Sequence, residues 1–263
     1  MIGGRSLAGA SEATVAAPLG WLASFRAMLA WDLADLRLQL PMLIIVQLLS
    51  GVGTVLGFGL FFQHIPERAA LFIVTGIPVI NLIVIGVVAL PQNVASQKLS
   101  HTYDYLVSLP VRRTIWVATT YVVNLAIGLP AVVVTLAVGV ARYHLHLALS
   151  PEIVPALFFV SLAGTMLGLA VGHGVDRPTL TQSISQLLVF AIFGFCPIMF
   201  PAAHLPGWLA GLNAVAPFES MAEITRAGLT TGMATDLARA LLVVALWLAG
   251  SLVVLTWTMG RRR

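Results

Sequence analysis

The chain has 263 residues, of which 59% are apolar and only 9% charged, and its mean hydropathy is +0.97. A water-soluble domain carries roughly 25% charged residues to solvate its surface, so a soluble enzyme, a secreted disulfide scaffold and a disordered regulator are excluded. The 14 Lys and Arg against 10 Asp and Glu leave +4, but these charges are spread through short connections instead of forming a stripe, and no nucleic-acid partner is expected. Cys196 stands alone in an apolar run, which rules out an intrachain disulfide and gives no thiol-based metal site.

Residues 1–18 are small and polar and lack an apolar core behind a basic start, so they read as a disordered cytoplasmic segment and not as a secretory signal. In residues 19–40, Leu22, Phe25, Leu29, Leu33, Leu36 and Leu40 recur at steps of three and four, while Arg26, Asp32, Asp35 and Arg37 take other positions. That spacing predicts an amphipathic helix in the membrane interface.

A hydrocarbon core about 30 Å thick needs about 20 apolar residues in a helix. Uncharged runs of that order occupy residues 41–62, 69–90, 114–140, 153–172, 179–200 and 240–259. The fold class expected is therefore all-α, with six spans in one transmembrane domain over 41–259 and a basic cytoplasmic tail at 260–263. Pro78, Pro130, Pro155 and Pro197 fall inside the runs, where neighbouring helices can satisfy the freed carbonyls. With the amino terminus inside, ten Lys and Arg lie on the cytoplasmic side and four outside. Both termini are then cytoplasmic, and the expected location is the plasma membrane.

The spans contain no Asp, Glu, Lys or Arg, which argues against an ion-coupled carrier. Their amides, Asn81, Asn124, Gln182 and Gln186, serve ordinarily as hydrogen-bonding glue between helices; they are also the candidate substrate path. No His pair with an acidic partner at helical spacing is present, so neither a metal centre nor a hydrolytic site is expected. There is no G-x-x-x-x-G-K-S/T, so ATP would have to be bound by another subunit.

Two connections are longer than a turn requires. Residues 91–113 form the cytoplasmic one, where Val94, Leu99, Tyr103, Leu106 and Leu109 can line one side of a short helix that Pro110 stops. Gln97, Lys98, His101, Asp104 and Tyr105 are left for a partner. Outside, residues 201–236 are too apolar for a solvated loop and too broken to cross. Two helices of about ten residues fit, the second with Pro217 at its start, Glu219 in its first turn, Arg226 in its last and Gly228 after it. Such helices, buried at the outer rim, would form an external gate.

The stretch from Ser100 to Arg113, with Leu106-Val107-Ser108-Leu109-Pro110-Val111 near its end, resembles the cytoplasmic coupling segment of permease subunits in ABC type-2 exporters. Pro201 to Phe218 resembles the same family's P-x-x-x-L-P-x-W-L followed by Asn and Pro. The group includes drug-efflux permeases like the daunorubicin exporter and permeases for polysaccharide or teichoic acid; the likeness covers residues 20–260. His101-Thr102 replaces the family's common Gly-Thr, Asp104 is the nearest counterpart of its acidic residue, and its Asn-Pro is split into Asn213 and Ala216-Pro217.

The resemblance implies an ATPase-coupling segment of Lys98, His101, Thr102, Tyr103, Asp104, Leu106, Leu109, Pro110 and Arg112. It implies an external gate at Pro201, Leu205, Pro206, Trp208, Asn213, Pro217 and Glu219. It also implies a separate ABC ATPase subunit, which would bind ATP and Mg while this chain binds no cofactor, and a second permease chain, identical or different. The cargo would be a drug-like, amphiphilic or lipid-linked substrate leaving the cytoplasm, with polysaccharide or teichoic-acid export as the alternative within the family. A carrier or channel independent of ATP is the competing reading from the residues alone.

Overall fold

The computed structural model describes residues 20–62, 65–100, 102, 103, 105 and 111–260, with the side chains of 259 and 260 left out. The expected disordered segment 1–18 and tail residues 261–263 lie outside the described residues. Among the described residues there are helices and no strand, and six helices are long and apolar enough to cross a membrane. The chain is an all-α membrane protein.

Helix α1 is Trp21–Leu36. Its packed side carries Phe25, Met28, Leu29, Asp32 and Leu36, while Leu22 and Leu33 are exposed. The apolar stripe expected from sequence is thus split: part of it meets the bundle, and an aspartate shares that face. Leu40 begins the next helix instead of closing this one. Helix α2, Leu40–Phe61, has Pro41 in its first turn, where a missing N–H costs nothing. Only Gly51 and Val55 on it are fully buried.

Helix α3 runs from Glu67 to Leu99 and is the core of the bundle, with every residue from Phe72 to Ile83 buried. The uncharged run predicts a span ending at residue 90 and a separate helix in the 91–113 connection; the structure instead continues one helix through Leu99. Pro91 has no N–H to donate, and a π-turn at Ile85–Ala89 absorbs the defect, with the Leu90 N–H donating to Ile85 O. Gly86 O is consequently bypassed by Leu90. It lies against Gly168 of the helix Ile153–Gly174, where an added Cβ would collide with that oxygen. Gly164, Gly168 and Gly172 form one stripe at four-residue spacing, which brings the two backbones within Cα–H···O reach.

Helix α4 is Arg113–Tyr143, closed by His144 in the left-handed region (φ 52°) with the Leu145 N–H donating to Val140 O at 3.2 Å. It packs along α2: Tyr143 Oη donates to Val55 O at 2.7 Å, and Arg142 Nη2 to Gly59 O at 3.4 Å. Helix α5 is Ile153–Gly174 and α6 is Pro178–Phe195. The uncharged run predicts a fifth span reaching residue 200, but the residue before a proline avoids the helical region. Cys196, ahead of Pro197, is extended (φ −90°, ψ 131°), and the helix stops there.

After a 3-10 turn at Ala202–His204 come α7, Gly207–Val215, and α8, Pro217–Leu229, then α9, Leu237–Gly260. Gly228 lies inside α8, not beyond it. It is a contact residue, since an added Cβ would come within 2.7 Å of Ile153 Cα. The bundle has two ends: a lower end, where α3 hands over to α4 through 100–112, and an upper end, where α7 and α8 lie.

Candidate functional site

At the lower end, Lys98 emerges from the last turn of α3 and turns inward. Its Nζ donates to Gly172 O and Val175 O, both at 2.7 Å. These carbonyls close the α5 helix, where a cation is favoured by the helix dipole. Lys98 also stands 5.5 Å from the centroid of the Tyr103 ring. Tyr103 is 3% exposed, so it anchors the connection and is not offered to a partner. Its ring centroid lies 5.7 Å from His173 and 6.4 Å from Trp116, and Trp116 meets His173 edge-on at 4.8 Å. The end of α3, residues 102 and 103, the start of α4 and the end of α5 are thereby tied by one aromatic cluster with Lys98 against it. Such ring pairs are worth about 0.5–1.5 kcal/mol each beyond their buried area.

Outward from this cluster, Thr102 is exposed and pairs with Ser100 (Oγ1···Oγ 3.0 Å). Tyr105 and Arg112 are also on the surface. His101, Asp104, Leu106, Leu109 and Pro110 lie outside the described residues. Helix α1 joins the same end through Asp32, which is hydrogen-bonded to Thr119 one turn above Trp116. Burial pushes the Asp32 carboxyl up to about 6; the Thr119 bond opposes the rise and Asp35 adds to it.

At the upper end, one of the residues expected to form a gate, Asn213, satisfies a carbonyl left open by the end of α6. Asn213 is 3% exposed, and its Nδ2 donates to Phe195 O at 2.9 Å and to Leu209 O at 3.0 Å. The α7 carboxyl end is closed from α9: Arg239 Nη2 donates to Ala214 O at 3.0 Å and Trp247 Nε1 to Val215 O at 2.8 Å. Pro201 precedes the 3-10 turn, Pro206 precedes α7, and Pro217 opens α8. Leu205 is half-buried, whereas Trp208 is exposed.

The centre of this end is a residue outside the gate motif. Arg226 is 4% exposed, lies 4.4 Å above the Phe72 ring and donates from Nη2 to Ile198 O. The same carbonyl presses on Gly76, where an added Cβ would collide with it. Burial lowers the guanidinium to about 10, with Glu223 and Glu219 holding it up, so it stays charged at neutral pH. Glu219 is raised by burial and then by Glu223, against Arg239 and Arg226. For Glu223, burial pushes upward but is outweighed by hydrogen bonds. Its Oε1 accepts from Thr235 N and Oγ1, both at 2.6 Å, and from Asp236 N at 2.8 Å. Glu223 thus caps the approach to α9. The signal is present in the sequence as Glu219, Glu223 and Arg226 at i, i+4 and i+7, a charged face on an otherwise apolar segment.

The four amides of the candidate path are not gathered into one cavity. Asn81 is buried where α2, α3 and α4 meet, with its Nδ2 and Thr135 Oγ1 both converging on Gly51. Asn124 donates to Thr165 at 3.4 Å between α4 and α5. Gln182 and Gln186 lie on the exposed face of α6.

Residues 24–230 match the family described as ABC-2 type transporter. No curated protein matches the chain.

Proposed function

The chain belongs to the ABC-2 type transporter family, matched over residues 24–230, and on that premise we propose that it is the permease half of an ATP-driven exporter. Family membership makes it a membrane component of a transporter and implies an ABC ATPase subunit as its partner. In this reading the lower end is cytoplasmic, both termini lie on that side, and the ATPase grips the surface around Thr102, Tyr105 and Arg112 together with α1. The observation that carries the proposal is the anchoring of that surface: Tyr103 is clasped by Trp116 and His173, so a push on the connection reaches α4 and α5 without slack. Movement of those helices against α3 then opens and closes the upper end around Arg226, an alternating-access cycle.

A second permease chain completes the conduit. Support comes from α6, which presents Gln182, Ser183 and Gln186 outward; side-chain amides at span depth are costly against lipid and belong against another chain or a water-filled path. ATP and Mg are held by the ATPase, and the cargo is an amphiphile of drug-like or lipid-linked kind carried outward. The test is uptake into inverted vesicles from cells making the chain with its ATPase. ATP-dependent accumulation is expected, and accumulation that survives loss of the ATPase would overturn the proposal.

A further inference from the structure

Between α4, α5, α8 and α9 runs an open groove of about 610 Å³, within the range of drug-sized ligand sites. Its chemistry is uneven along its length. Tyr121, Phe158, Phe159, Leu162 and Leu241 line it, and Glu152 stands at its upper lip, six residues or about 9 Å of helix before Phe158. No Lys or Arg lines it. The Tyr121 hydroxyl donates to Phe158 O at 3.0 Å, which leaves its oxygen with capacity to accept. Glu152 occupies the cap position of α5, yet its side chain makes no capping hydrogen bond. Its carboxylate is therefore spent neither on the helix start nor on a neighbouring cation lining the groove.

We propose that this groove binds a lipophilic monocation, with the Glu152 carboxylate over the charge and the aromatic wall of Phe158, Phe159 and Tyr121 around the apolar body. Ring faces attract cations, and the acidic lip repels the phosphate of an ordinary phospholipid head. A second groove, of about 650 Å³ between α5, α7 and α9, is lined by Leu167, Val171, Val215, Leu246 and Trp247 with no charged residue; it offers nothing to select a cation over a neutral chain. The inference rests on the export reading only in naming the class of cargo; binding itself needs neither ATP nor the ATPase.

The test uses the full chain in phosphatidylcholine nanodiscs, with tetraphenylphosphonium as probe and, in separate samples, its shape-matched anion tetraphenylborate. Saturable binding of one cation per chain is expected, weakened at least about fivefold by Glu152→Gln and by Phe158→Ala, with no saturable binding of the anion. Cation binding that is absent or that both variants leave unchanged, or an anion that binds saturably with equal affinity and the same dependence on Phe158, would overturn the site. Each of those results leaves ATPase-dependent transport to be judged separately, by the vesicle uptake described above.

Discussion

Asp32 and Arg226 are ionisable side chains packed against the bundle from outside the spans, and their environments push them in different ways. A carboxyl raised to about 6 by burial binds its proton more tightly in the docked state than in an undocked α1, where the ordinary value is about 3.9. The docking contribution of Asp32 is then complete below about pH 4 and lost as pH rises through about 6. Hydrogen exchange of the α1 amides, corrected for the intrinsic rate, is expected to accelerate between about pH 4 and 6.5, level off above that, and become flat in Asp32→Asn. Exchange that does not change over this range in the unaltered protein would contradict the assignment. Arg226 stays charged, so its removal is a matter of packing and of Ile198 O, which would be left without its donor. Arg226→Ala should cost about 3 kcal/mol, read as a lower thermal midpoint in detergent; Arg239→Ala, on an exposed residue, should cost less than half as much.

At the scale of elements, the glycine stripe of α5 and the π-turn of α3 depend on each other. Gly168→Ala would drive a Cβ into Gly86 O, backbone against backbone, and should abolish stable insertion or transport. Gly53→Ala on α2, with open space around it, should be neutral. The aromatic cluster gives a sharper test of transmission. Trp116→Ala should leave the ATPase bound and hydrolysing while transport falls at least about tenfold, and Trp116→Phe should restore most of it; equal loss of ATPase association in both would mean a folding defect only. The six spans are legible in the sequence because uncharged length is a one-dimensional signal, and the two short upper helices because proline and charge punctuate them. The continuation of α3 past Pro91 is not, since a π-turn that bypasses Gly86 O is settled by the Gly168 contact, distant in sequence. The spacing leaves Lys98 for a partner and sets Tyr103 on the apolar side of its segment; what each meets on turning inward, Trp116, His173 and the α5 carbonyls, is not encoded by periodicity along one segment.

For the whole molecule, the two ends are chemically different and are joined by a largely apolar core. The lower end collects α1, the connection after α3 and the tips of α4 and α5 around three rings, while the upper end holds carbonyls of broken helices with Asn213, Arg226, Arg239 and Trp247. Between them the buried side of α3 from Ala70 to Leu90 is apolar except for Thr75 and Asn81, and neither of those can bind and release a driving proton. In the proposed reading, a chain so built moves cargo uphill only when force enters from below. The most direct measurement is transport into proteoliposomes holding the purified chain, with and without its ATPase subunit. ATP-dependent accumulation against a gradient is expected only when both are present; accumulation by the chain alone would overturn the ATPase-driven reading.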